Sequence, residues 1–323
     1  MHENAFHRAV YLTGPTASGK TAVGVALARR LGAEVLALDS TTLYRGMNIG
    51  TAKPAIDERG GIPHHLIDVI DPWESASVAA YREWARAAVR RVERRGGQVL
   101  FVGGSALYLK AIVRGLFEGP AADAALRLRL ERDAVEQGEH ALHDRLAALD
   151  PPTAARLHPH DRRRVIRALE VIELTGRPIS VLQAEHDRPA PAAVPILALN
   201  LPRAILQERI NRRVIKFFDA GLVDEVRALQ AGPRPLGDVA AQAIGYREVI
   251  AMLGGKANLR QTIEQVQART RQFAKRQATW FRRLEEVRSF PVAPDDDPET
   301  IAGRLARTIE QARSRPCPTA AAD

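Results

Sequence analysis

The sequence predicts an α/β protein: a doubly wound parallel sheet behind a phosphate-binding loop, interrupted by an all-helical insertion. Three observations predict it. GPTASGKT, Gly14–Thr21, fits G-x-x-x-x-G-K-[ST] and lies between a short apolar run and a helical pattern. VYLT, VLAL and QVLFVGG are apolar runs that alternate with helical stretches, the order of a sheet buried on both faces. From about Leu116 the strand signals stop, and three stretches with an apolar period near 3.6 follow.

Each element follows in order. Val10–Thr13 is the first strand. Thr21 to about Arg30 reads as a helix stopped by Gly32, and Val35–Leu38 as a second strand stopped by Asp39-Ser40. YRGMNIGTAKP, rich in Gly and polar residues, reads as a loop. GIPHHLIDVIDP predicts a strand at His65–Val69 and a turn at Asp71-Pro72. A helix is expected from Ser77 to Arg95; QVLFVGG is the third buried strand, and SALYLKAI is a helix. In the insertion, ADAALRLRLERDAVEQG, HALHDRLAALD and DRRRVIRALEVIELTG each end at Gly or Asp-Pro, and the Pro-rich DRPAPAAVP closes it. Strand character returns at Pro195–Leu201. The helix PRAILQERINRRVIKFF, a long helix near 262–287 and a final helix near 298–313 complete the chain. The expected organisation is a core over 1–115, the insertion over 116–192, the core again over 193–290, and a C-terminal helix with a loose tail over 291–323. No internal repeat is visible.

Composition narrows the class. The 323 residues are 46% hydrophobic and 26% charged, the profile of a globular protein. A formal net charge of +9 suits a polyanionic partner, of which nucleic acid is the commonest, although an arginine-rich surface also serves solubility alone. The single cysteine, Cys317, excludes an intrachain disulfide and a Cys-based zinc site, and points to a reducing compartment. No signal-peptide pattern and no membrane-length apolar run is present, so a cytoplasmic protein is expected.

The loop carries its own chemistry. Gly14 and Gly19 let the backbone turn its N–H groups inward around phosphate oxygens, and the following helix points its N-terminus at the anion. Lys20 adds a point charge, and the Thr21 hydroxyl is placed to ligate Mg²⁺. Many relatives of such loops hold Mg²⁺ with an acid at the end of a later strand. QVLFVGGS ends in glycines instead, which leaves Asp39 at the end of the second strand. That position lies at the carboxyl edge of the sheet, where ligands bind. Asp39 there could hold Mg²⁺ through water, take a proton from a substrate, or simply cap a turn. His64 and His65 point to opposite faces of a strand and read as structural. Arg45 reads as a surface arginine.

GPTASGKT, LDSTTLYRGMNIGTAKP, GIPHHLIDVIDP, VGGSALYLKA, DRRRVIRALEV, QAIGYREV and TRQFAKRQATWFR occur in that order. Together, over roughly residues 9 to 290, they resemble the bacterial tRNA dimethylallyltransferase (tRNA isopentenyltransferase) family. The resemblance implies a P-loop NTPase/kinase-like core with an inserted helical domain. It implies transfer of a dimethylallyl group from dimethylallyl diphosphate to the exocyclic amine of the adenosine at tRNA position 37, next to the anticodon, with Mg²⁺ required. It assigns Gly14, Pro15, Thr16, Ala17, Ser18, Gly19, Lys20 and Thr21 to the diphosphate, Thr21 to Mg²⁺, and Asp39 to the general base. It places Ser105 and Arg127 in the catalytic channel beside Lys20 and Asp39. Contacts to the tRNA anticodon stem-loop fall on Asp39, Ser40, Thr41 and Thr42, on Arg163, Arg164, Val165, Ile166 and Arg167, and on Gln242, Ala243, Ile244, Gly245, Tyr246 and Arg247. The chain departs from the family pattern at Thr42, where Gln is usual, at Ser105, where Thr is usual, and at Asn48, where Asp is usual.

In the late helix, Arg269, Arg276 and Arg283 recur at seven-residue spacing, and Arg271, Lys275 and Arg282 form a second stripe. The resemblance turns these and Arg162–Arg167 toward RNA. Phe273, Trp280 and Leu284 share a third face, which the spacing assigns to the core. Two other readings stay open on residues alone. One is a P-loop kinase for a small molecule or nucleotide; the other is an RNA-binding, ATPase-like module with no catalysis. A monomer is expected.

Overall fold

The computed structural model describes residues 6–115, 117, 119–186 and 196–314. VYLT forms β1 (Val10–Thr13), AEVLAL forms β2 (Ala33–Leu38), and two histidines form β3 (His64–His65). QVLFVG forms β4 (Gln98–Gly103), ILALN forms β5 (Ile196–Asn200) and VRSFP forms β6 (Val287–Pro291). All pairings are parallel, in the order β3-β2-β4-β1-β5-β6. The runs are apolar without alternation because a parallel sheet is covered on both faces.

The first helices are α1 (Lys20–Leu31), α2 (Val78–Glu93) and α3 (Ala106–Val113). Gly32 closes α1 at φ 59°, a left-handed conformation open to glycine, and its N–H bonds Ala28 and Arg29 carbonyls. Ser77 opens α2 by accepting from the Ala80 N–H. Next come α4 (Ala124–Glu136), α5 (Glu139–Leu149), α6 (Pro151–Ala154), α7 (Arg162–Thr175) and α8 (Ile179–His186). After β5 follow α9 (Arg203–Asp219), α10 (Leu222–Gln230), α11 (Asp238–Ala241), α12 (Tyr246–Leu253) and α13 (Leu259–Arg283), and α14 (Pro298–Arg313) follows β6. Asn258 and Gln261 cap α13 reciprocally.

The chain divides into two compact units, Met1–Val113 with Ala190–Asp323, and Arg114–Pro189. In the first, Tyr11, Leu36, Phe101, Tyr81 and Leu109 pack one face of the sheet, and Val10, Leu12, Leu27, Leu100 and Leu305 pack the other. Each fully buried side chain of this size contributes roughly 1.5–3 kcal/mol relative to exposure. The second unit, over its described residues, is helical, with its own core around Leu130, Leu146, Val165, Leu169 and Val171. Among the described residues no helix is long and apolar enough to cross a membrane.

Several expectations need correction. The strand predicted at His65–Val69 is only His64–His65; Leu66 at φ 62° and Asp68 at φ 55° turn the chain out of the sheet. The late helix stops at Arg283, not residue 287; Leu284 is extended, and Val287 already pairs in β6. Phe273 and Trp280 are not core: they are 37% and 42% exposed, and only Leu284 of that trio is buried. The buried stripe of α13 is Thr262, Val266, Ala274, Gln277 and Phe281. DRPAPAAVP, Leu116 and Cys317 lie outside the described residues.

Candidate functional site

β1, β2 and β4 end side by side, and residues of β2 and β4 line a cavity of about 550 Å³ beside the loop that leaves β1. Its polar lining comes from Thr16, Gly19, Lys20 and Thr21 of the loop and α1, from Asp39 and Thr42 after β2, from Thr51, Glu58 and His64, and from Arg209 and Arg213 of α9. Val25, Val35, Ala37, Ile67 and Val102 give it an apolar side. A charged pole and an apolar wall in one cavity suit an amphipathic anion.

The loop's shape follows from its sequence. Gly14 sits at φ 148°, and a Cβ there would lie 3.0 Å from the Leu199 carbonyl; Gly19 sits at φ 85°. Ala17 also takes φ 64°, a conformation costly for a residue with a Cβ. Thr13 Oγ1 donates to the Gly103 carbonyl at 2.8 Å and locks β1 to β4 directly below the loop. Pro15 and Ser18 are buried, so they shape the loop from behind.

Lys20 donates to the Pro15 carbonyl at 3.2 Å. Burial pushes its pKa down to about 8; Arg213 lowers it further and Asp39 opposes. Arg213 is itself held below its ordinary value by burial, while Asp39 and Glu58 favour its charge. Asp39 caps a turn: Oδ1 accepts from the Thr41 N–H at 2.9 Å and from Thr41 Oγ1 at 2.7 Å. Its Oδ2 accepts from no described residue, so capping and a chemical role use different oxygens. The Thr42 hydroxyl is buried in the cavity wall with no partner among the described residues.

The remaining expected residues are not among those lining the cavity. Ser105 accepts from the Tyr108 N–H at 3.4 Å as the first turn of α3 begins, and it is not among the cavity-lining residues. Arg127 lies in the helical unit, where its guanidinium forks onto Glu170 with two bonds of 2.9 Å. Glu170 is fully buried and also accepts from Arg167 at 2.5 Å and the Asp123 N–H at 2.8 Å. Burial alone would raise its pKa, but these donors hold it below the usual carboxylate range. On α7, Arg163 and Arg164 are exposed, with Arg164 paired to Asp161. Val165 and Ile166 are 1% and 5% exposed in the helical core, so their side chains offer no RNA contact. Gln242 and Arg247 are exposed, and Ala243 and Ile244 are partly so. Gly245 and Tyr246 are buried, and the Tyr246 hydroxyl donates to Glu225 at 2.6 Å. Glu225 in turn accepts the Asn48 and Ile49 N–H groups, so Tyr246 braces the loop beyond Asp39 instead of meeting solvent.

Three residues were missed from sequence: Arg209, Arg213 and Gln277. Gln277 accepts the Thr16 N–H at 2.8 Å and donates to the Gly104 carbonyl at 2.7 Å. Nothing local marks Arg213 among the arginines of NRRVIKFF; only the packing of α9 over the loop does. Of the two histidines, His64 bonds the Ile62 carbonyl at 2.8 Å and lines the cavity, and His65 meets Glu34 at 2.6 Å. Arg45 pairs with Asp71 at 3.0 Å on the surface.

The family model described as IPP transferase matches residues 42–284. A tRNA dimethylallyltransferase of Thiobacillus denitrificans is 50% identical over 92% of this chain and 96% of its own length. One from Geobacter metallireducens is 45% identical over 89% and 93%. Among solved structures, the full-length tRNA isopentenylpyrophosphate transferase of Bacillus halodurans is 40% identical, with a TM-score of 0.68 over 95% of this chain and 98% of that one. A eukaryotic dimethylallyltransferase described as acting on tRNA is 26% identical, with a TM-score of 0.78 over 94% and 78%. The matched span takes in Thr42, Arg209 and Arg213 of the cavity wall, the loop braced by Tyr246 and α13, while the phosphate loop and Asp39 precede it; with relatives alike over nearly their whole length, the chain belongs to the IPP transferase family.

Proposed function

We propose that the protein transfers a dimethylallyl group from dimethylallyl diphosphate to the exocyclic amine of adenosine 37 of tRNA, 3′ of the anticodon. The observation that carries this reading is the single cavity in which the phosphate loop, Lys20, Arg209 and Arg213 meet Asp39 beside an apolar wall. The tRNA-directed relatives favour it over a kinase.

Loop N–H groups, Lys20 and the two arginines meet negative charge as it grows on the leaving oxygen. The apolar side receives the prenyl group. The amine lone pair of the adenine forms the new carbon–nitrogen bond, the carbon–oxygen bond breaks, and diphosphate leaves with its electron pair. The proton released from nitrogen passes to Asp39 Oδ2, while Oδ1 stays bonded to Thr41. The adenine leaves its stack to enter, at a cost smaller in a loop than in a duplex.

The donor set also fits Mg²⁺. The Thr21 hydroxyl and the Asp39 carboxylate line one cavity, and this cation keeps several waters and takes phosphate oxygens as further ligands. Thr21, with Asp39 through water, would hold it, and once bound it supplies positive charge to the leaving diphosphate.

The anticodon stem-loop meets the basic faces. On α13, Arg276 stacks over Phe273 with 5.9 Å from guanidinium to ring centre, and Trp280 lies exposed one turn on. Arginine and exposed rings together make a surface for unstacked bases. Arg163 and Arg164 on α7, and Gln242 and Arg247 before and at α12, add further polar contacts. Mass spectrometry of unmodified tRNA incubated with protein, Mg²⁺ and dimethylallyl diphosphate tests the reading. A gain of one dimethylallyl group confined to the anticodon loop is expected; no gain, or transfer of phosphate from ATP, refutes it.

A further inference from the structure

Gln277 is the one long polar side chain in the buried stripe of α13, at 5% exposure. Such a residue costs free energy in a core unless its amide is bonded at both ends, and here it is. Its Oε1 accepts the Thr16 N–H at 2.8 Å, within the phosphate loop, and its Nε2 donates to the Gly104 carbonyl at 2.7 Å, after β4. Those partners lie 261 and 173 residues away along the chain. Gly104 is required for this approach: a Cβ there would stand 2.4 Å from Gln277 Nε2 and 3.3 Å from the Gly14 carbonyl. So one amide joins the loop, the end of β4 and α13 at a single point.

The residue beside Thr16 explains what that point does. Ala17 is held at φ 64°, a conformation that persists only where its surroundings enforce it. The Gln277 bond pins the preceding residue, Thr16, through its N–H, and Gln277 itself is not among the cavity-lining residues. We propose that Gln277 is a positioning residue for the donor, holding the phosphate loop in its anion-ready shape and tying that shape to α13. It does not touch the diphosphate. One turn to either side of Gln277, Phe273 and Trp280 stand at the solvent-exposed edge of the same stripe, with Arg276 beside them. The helix assigned to RNA is thereby the helix that props the donor site.

The inference deepens the transferase reading and rests on it for the role of α13, but its test does not depend on transfer. Calorimetry of inorganic diphosphate with Mg²⁺ is run on the full chain, beside donor KM, kcat and melting temperature. Q277M keeps the side-chain volume and removes both bonds. G104A displaces the amide from the other side and leaves α13 unchanged. Both should weaken diphosphate binding, and raise donor KM, by about tenfold, the effect of leaving one buried hydrogen-bonding group unpaired. At saturating donor, kcat should stay within about threefold, a split that a merely structural role would not produce. Diphosphate binding within twofold of wild type in a folded Q277M overturns the proposal. If Q277M does not fold, G104A decides by the same criterion. A wild-type chain that binds diphosphate yet transfers nothing would refute the transferase reading and leave the Gln277 measurement intact.

Discussion

Asp39→Asn separates two jobs of one carboxylate. Oδ1 holds the turn through Thr41, with bonds of 2.9 and 2.7 Å. An asparagine oxygen in the same place accepts both, so the turn and the cavity wall survive. Oδ2 becomes an amide nitrogen with no basic lone pair. General-base assistance is worth about 10²–10⁴ in rate, or roughly 2.7–5.4 kcal/mol of barrier at 1.36 kcal/mol per decade. Single-turnover transfer of a labelled dimethylallyl group to an anticodon stem-loop should fall by that factor, with stem-loop affinity within about twofold. Asp39→Ala provides the contrast, because it also removes the acceptor for both Thr41 groups. That half-buried loss costs about 1–3 kcal/mol, and each kcal/mol lowers the melting temperature of a unit this size by about 2–4 °C. Asparagine should therefore be slow but stable, and alanine slow and less stable. If Asp39→Asn keeps more than about a tenth of the wild-type rate, Oδ2 is not the base.

Other predictions follow from the same geometry. Lys20 titrates near 8, so its charge is present below that pH and lost above it; kcat/KM for the donor should fall about tenfold per pH unit on the alkaline side, and Lys20→Met should remove that limb. Glu170 is buried beneath Arg127 and Arg167 with its pKa lowered, so the stability it contributes is present above the ordinary glutamate pKa and lost as pH falls through the folded value. Glu170→Ala should cost about 2–3 kcal/mol, short of a fully buried pair because both arginines can turn to solvent; an unchanged melting profile between pH 7 and acid would count against this. Phe273→Ala with Trp280→Ala should weaken tRNA binding by roughly 1–3 kcal/mol per stacked base, with a smaller loss of stability than truncating fully buried rings, since both are partly exposed. Arg276→Ala should reduce the slope of log affinity against log salt by about 0.7–0.9, and an unchanged slope would remove Arg276 from phosphate contact.

Local chemistry was legible wherever chain neighbours create it. GPTASGKT must turn its amides inward because Gly14 and Gly19 sit where other residues are strained, and the apolar runs on either side permit only a buried parallel sheet. Asp39 was found because it follows a strand that such a sheet ends at the ligand edge. The five helices among the described residues of the second unit followed in part from apolar period, although α6 and α8 are too short to show one. VRSFP escaped notice as β6 because an edge strand with Arg288 and Ser289 exposed has no apolar run.

What the sequence by itself determined is the phosphate cradle, the class of sheet behind it, and the surplus of positive charge. Tertiary structure alone decided which charges share a cavity with the loop. Arg209 and Arg213 resemble every other arginine of their helix until α9 packs over the loop, and Gln277 resembles a solvent-facing glutamine until α13 is laid against Thr16 and Gly104. It also reversed the reading of α13, sending Phe273 and Trp280 outward and Ala274 and Gln277 inward. The reason is space: against a loop and a strand end that approach so closely, only small or hydrogen-bonding side chains fit, and helical period does not encode the shape of what the helix meets.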